Sequence, residues 1–186
     1  MNYKIRFVEE EDAEFIVELR NDPKRNRYLS RTSGSIEDQQ NWIRSYKFRE
    51  KELQELYFIV FENNTRKGLY RLYEINDVSF TFGSWLFIKC ENNQLSIATD
   101  LFLSDYGFYI LNKSIVLFNI RKQNRKVIQY HSLKIPLLYT EHDLDNYYLI
   151  QKDNWEKSKE NVLLYFGIDK NEYKLLSDSF SSQLNY

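Results

Sequence analysis

The chain has 186 residues, room for one domain on a soft prior of roughly 150 residues per domain. Its 26 Lys+Arg balance 27 Asp+Glu to a net charge of -1, which gives phosphate little attraction and argues against a nucleic-acid partner. One cysteine and two histidines exclude a disulfide framework and a multi-cysteine zinc site, so no metal is expected.

Residues 3 to 8, YKIRFV, alternate as a short strand does. EEEDAEFIVELRND follows as a helix with acidic residues in its first turn, ended by Pro23. KRNRYLSRTSG reads as a loop, and Ser35 with Asp38 three residues later opens a second helix. Three strands are expected at 56–62, 69–75 and 78–88, joined by short turns as an antiparallel meander. Residues 95–113 form an amphipathic helix and 114–120 a buried strand. A short helix over 125–135 starts after Asn124, a bent strand or hairpin fills 137–151, and a helix begins at Asp153 or Asn154. The last twenty residues, rich in Ser, Asp and Asn, read as a loosely attached tail. No apolar run approaches the roughly 20 residues that span a bilayer, and no apolar stretch follows the first basic residues, so no membrane span and a cytoplasmic location are expected.

The order β-α-α-β-β-β-α-β-α-β implies one domain of α/β (α+β) class with a mixed sheet, its core over about residues 3–151 and a C-terminal helix and tail over 152–186. The helix joining strands 78–88 and 114–120 should cross over in the right-handed sense. A ligand belongs where two neighbouring strands part and a helix N-terminus points into the gap.

That order, with the segments RFVEEEDAEFIVELRNDP, SIEDQQNWI and RKQNRKVIQYHSLKIP, resembles the GCN5-related N-acetyltransferase family and its ribosomal-protein acetyltransferase-like branch. The resemblance implies a mostly antiparallel, twisted sheet flanked by helices, and acetyl-CoA as cosubstrate. Asn124 matches the family's Asn, while Ile135-Pro136 stands where Gly-Phe would be. The family's glycine-rich diphosphate loop corresponds to Glu91-Asn92-Asn93-Gln94-Leu95-Ser96, which holds no glycine. Backbone N–H groups of Asn93, Gln94, Leu95, Ser96, Ile97 and Ala98 are the expected diphosphate donors, with Asn tolerating the left-handed bend. Asn124, Lys126 and Arg125 are expected to reach the cofactor.

The resemblance further implies direct attack of a neutral amine on the thioester. A strand N–H from Leu86, Phe87 or Ile88 would hold the oxyanion. His131, seven residues after Asn124, takes the place of the family's Tyr as general acid, with Tyr130 as substitute and Glu74 as candidate base. Arg20, Asn21, Tyr28, Arg31 and Trp85 would line the acceptor side. The acceptor is expected to be a small-molecule amine, an amino sugar linked to a nucleotide, as in surface-polysaccharide synthesis. Arg20, Arg25, Arg27 or Arg31 would then meet the diphosphate. A protein N-terminal acetyltransferase and a non-catalytic binding module stand as alternatives, and the apolar edges allow a homodimer.

Overall fold

The computed structural model describes residues 2–30 and 34–184. One seven-stranded sheet has the order β1-β2-β3-β4-β5-β7-β6. Its strands are β1 (Tyr3–Phe7), β2 (Leu56–Glu62), β3 (Thr65–Tyr73), β4 (Ser79–Phe87), β5 (Ile115–Arg121), β6 (Leu137–Glu141) and β7 (Asp145–Gln151). Every neighbouring pair is antiparallel except β4 with β5. The helices are α1 (Ala13–Asn21), α2 (Ile36–Lys51), α3 (Leu95–Asp105), α4 (Arg125–Ser132), α5 (Trp155–Phe166) and α6 (Lys170–Ser181). The mixed sheet flanked by helices is the class that the element order implies.

Local chemistry sets most element ends. Ser35 Oγ accepts the Asp38 amide at 3.2 Å and opens α2 as expected. Strand β3 starts four residues before the expected 69, because Asn63 and Asn64, at φ 50° and 63°, turn the chain in two residues. Helix α3 stops at Asp105, and Tyr106–Ile110 continue as a π-helical turn. Gly107 in that turn lies so close to Phe80 that a Cβ would sit 2.3 Å from the ring, which only glycine avoids. The residues between 137 and 151 form the β6–β7 hairpin.

Two apolar layers sandwich the sheet. On one face, Ile16 and Leu19 of α1 and Ile43 and Tyr46 of α2 cover Tyr57, Ile59 and Leu69. On the other, Leu101 and Phe102 of α3 pack with Phe58, Tyr70, Phe80 and Phe118, and with Trp155 and Phe180 of α5 and α6. Full burial of each such side chain contributes about 1.5–3 kcal/mol.

The expected loose tail is not found. Asp169 accepts the Asn171 and Glu172 amides and starts α6, and Tyr173, Leu176 and Phe180 recur at helical spacing and enter the core. The helix also covers the outer edge of β1. Gln183 Oε1 accepts the Ile5 amide at 3.0 Å, and Gln183 Nε2 donates to the Tyr3 carbonyl at 3.2 Å. An edge strand is thereby closed against foreign pairing.

Candidate active site

Strands β4 and β5 pair only over Ser79–Thr81 against Ile115–Leu117. Past Thr81 they part. The β3–β4 register shifts between Leu69 and Arg71, and Ser84 takes φ 49°, so β4 bends away from β5. The gap opens into a cleft of about 480 Å³, walled by Phe82 and Trp85 of β4, Asn119 and Arg121 of β5, Tyr28, and Asn124 and His131 of α4 and its N-terminus.

Of the three strand donors expected, the ladder excludes two. The Ile88 amide donates to the Lys67 carbonyl at 2.8 Å, and Gly68 stands opposite Phe87. Antiparallel alternation therefore turns the Leu86 and Ile88 N–H groups toward β3 and leaves the Phe87 N–H on the cleft side.

The N-terminus of α3 is only partly committed. Gln94 N–H is taken by Asn92 Oδ1, Leu95 N–H by the Asn92 carbonyl and Ala98 N–H by the Gln94 carbonyl. Among the described residues, the amides of Ser96 and Ile97 have no acceptor. The first turn carries no acidic side chain, so the positive end of the helix dipole is not neutralised. Two open N–H groups and that field suit a diphosphate without glycine. The preceding turn is built on an internal anion. Glu62 is 1% exposed, and its carboxylate accepts the Glu91 amide at 2.7 Å and the Asn92 amide at 2.8 Å. The sequence reading missed Glu62, which ends an apolar strand and looks like an ordinary surface acid.

His131 points between Phe82 and Phe118, ring centroids 5.2 and 4.8 Å away, at the root of the cleft. It is 1% exposed and its Nδ1 has no partner among the described residues. Burial, and then the neighbouring Lys134 ammonium, push its pKa down to about 3. The imidazole therefore enters the reaction neutral, and a preloaded general acid is not what this environment holds. Tyr130 is no substitute. Its hydroxyl donates to Asp100 inside the core, and burial and that carboxylate raise its pKa well above the usual value. Glu74 sits at the closed end of the strands, exposed, and accepts the Thr81 hydroxyl at 3.0 Å, outside the cleft.

Trp85 lines the cleft and is held from the α3–α4 side. Its indole donates to the Ser96 carbonyl at 3.2 Å and packs on Tyr130 and His131. Trp42 is packed against Tyr46 and Tyr57 in the α2 layer. Arg20 is committed to Ser84 Oγ and to Ser30, and exposed Asn21 accepts the Asn26 side chain, so neither lines the cleft. Tyr28 does, and its hydroxyl donates to the Gln123 carbonyl at 3.1 Å. Arg31 lies outside the described residues. Lys126 and Arg125 are exposed beside the first turn of α4.

Tyr28, Leu29 and Arg121 also line a second chamber of about 300 Å³, which adjoins the cleft. Its lining carries Arg27, Arg121 and Lys122 together with Asp143; Arg121 is paired with Asp145 and Lys122 with Glu141. Two of these cations come from the end of β5, where the sequence reading sought none. A cavity of about 830 Å³ lies between α6 and the N-terminus of α3; Asn93, Gln94 and Ala98 of the expected diphosphate segment line it, and none of them lines the cleft. Its lining has Glu91 and Glu172 and no cation, so it repels phosphate. Among the described residues no helix is long and apolar enough to cross a membrane, and no group of three metal-ligating side chains occurs.

The family model described as "Acetyltransferase (GNAT) domain" matches residues 3–132. No curated protein sequence matches the chain. The solved structure "Apo FdhC- a nucleotide-linked sugar GNAT" is 34% identical, with 89% of this chain and 93% of that one aligned and a TM-score of 0.76. A Vibrio cholerae spermidine N-acetyltransferase in complex with CoA and spermine shares the fold at 20% identity and TM-score 0.66, over 83% of this chain and 98% of that one. The Campylobacter jejuni N-acetyltransferase PseH, in complex with acetyl coenzyme A, shares it at 17% identity and TM-score 0.59, over 81% and 99%. A parted β4–β5 pair, an α3 N-terminus with open amides and a family match over most of its length make this chain a member of the GNAT family of acetyl-CoA-dependent N-acetyltransferases.

Proposed function

We propose that the chain acetylates the amine of a nucleotide-linked amino sugar. The observation that carries this reading is the cationic chamber adjoining the transfer cleft, with Arg27, Arg121 and Lys122 around it. A diphosphate held there leaves the attached sugar to reach into the β4–β5 gap. The FdhC neighbour, described as a nucleotide-linked sugar GNAT, supports the same class.

Bound acetyl-CoA supplies the thioester carbonyl. In this reading the open Ser96 and Ile97 amides hold its diphosphate, Asn124 flanks its arm, and the Phe87 N–H donates to the carbonyl oxygen as charge builds there. Neutral His131 accepts the nitrogen proton released as the N–C bond forms, and passes it to the departing sulfur. His131 thus works as a relay that starts empty.

The test is a panel of amines assayed with acetyl-CoA: a UDP-linked amino-deoxyhexose, glucosamine, spermidine and a short peptide. The expected result is a kcat/KM for the nucleotide-linked amine at least about a hundredfold above the rest. Equal rates for glucosamine and its nucleotide-linked counterpart would overturn the reading.

A further inference from the structure

We propose that Asp145 receives the acceptor's amine and takes its first proton; the acceptor class rests on the reading above, while the carboxylate's role is tested apart from it. Asp145 opens β7 and stands opposite Arg121 of β5. Arg121 Nη1 donates to its Oδ2 at 2.9 Å. The other oxygen, Oδ1, is buried and has no partner among the described residues. The residue lines the transfer cleft. A structural ion pair accounts for one oxygen only, and a buried carboxylate oxygen without a donor is expensive and rare. An oxygen kept free on a cleft-lining residue, to be met by an ammonium N–H as the acceptor enters, explains it.

The placement fits the chemistry. Asn119, Arg121 and Asp145 share one face of the sheet, opposite to Phe118 and Ile120, which point to the core beneath His131. Asp145 thus faces the acceptor side and His131 the cofactor side of one gap. The other charged groups at the cleft are Arg121, bound to Asp145, and Arg25, which bridges to Asp22 and donates to the Phe87 carbonyl. Neither competes for Oδ1.

An amino sugar arrives as R–NH3+ and must become R–NH2 to attack. Asp145 takes that proton and returns it to solvent through the cleft that it lines. The N–C bond then forms as the C–S bond breaks, and the second nitrogen proton goes by His131 to sulfur. The sum is an amide, a thiol and one proton released.

The experiment compares wild type with Asp145→Asn, which keeps an oxygen for Arg121. The full chain is assayed with acetyl-CoA and whichever of the UDP-linked amino-deoxyhexose, glucosamine or spermidine turns over best. The expected result is a fall of about a hundredfold in kcat/KM for the amine, with KM for acetyl-CoA within twofold. The variant's kcat/KM should also keep rising with pH up to the amine's own pKa, while the wild-type profile levels off below it. Arg121→Met, checked by thermal melting, should lose less than Asp145→Asn. The proposal is overturned by a variant within threefold of wild type on the amine, by an equal loss on both substrates, by an unchanged pH profile, or by no turnover of any amine. A best substrate other than the nucleotide-linked amine refutes the acceptor class and leaves the carboxylate test standing.

Discussion

Asp100 on α3 and Lys134 just past α4 form an ion pair that water does not reach, both side chains being 0% exposed. Tyr70 donates to the same carboxylate at 2.6 Å, and Tyr130 also donates to it. Burial works to raise the Asp100 carboxyl, yet Lys134 and the hydrogen bonds hold it below the usual range. Removing one partner leaves a buried charge uncompensated. Lys134→Met is therefore expected to cost about 3–5 kcal/mol by urea denaturation, and the double variant Lys134→Met/Asp100→Leu less than the single. A double variant no better than the single would show that the pair is not coupled.

His131 also makes stability depend on pH. Its folded pKa of about 3 lies below the usual 6.5. The unfolded chain binds a proton in that window and the folded chain does not, so stability falls as pH drops. Between pH 7.5 and 5 the loss from this group is about 2 kcal/mol, and it should vanish in His131→Phe. Melting both proteins across that range checks it; parallel curves would refute the buried neutral imidazole.

Glu62 predicts a cofactor effect. Each Glu62 oxygen accepts one amide, from Glu91 and from Asn92, so in Glu62→Gln the NH2 group faces one of these N–H donors while the remaining oxygen keeps the other. The expected cost is about 1–3 kcal/mol in stability. Since that turn leads into the open amides of α3, KM for acetyl-CoA should rise severalfold with kcat little changed. Steady-state kinetics read this directly.

Gly68 offers a steric probe of the cleft. A Cβ there would lie 2.4 Å from the Phe87 ring. Gly68→Ala must push that ring, and with it the strand whose N–H faces the cleft. We expect about 1–3 kcal/mol of destabilisation and a larger fractional loss in kcat than in KM. Urea melts with kinetics on the same preparation decide it.

The sequence made the layout legible because strand and helix periods are local. The Ser35 cap, the alternation of β1 and the apolar β2 can all be read without knowing their neighbours. Helix α6 was missed because its polar composition hid three core residues at helical spacing. The site was harder still. His131 was found by spacing from Asn124, but its neutrality comes from Phe82, Phe118 and Lys134, which only the fold assembles. Tyr130 and Glu74 carry suitable chemistry and point elsewhere. Glu62 and Asp145 gave no signal, since what distinguishes them is which amides and which cavity they meet.

The clasp of Gln183 on β1 joins residues 178 and 180 positions apart. During synthesis the first strand leaves the ribosome long before its cover exists, so its outer edge stays open for most of translation. Closure of this edge thus waits on the synthesis of Gln183, and a chain truncated before it presents a sticky edge to chaperones and to its own copies.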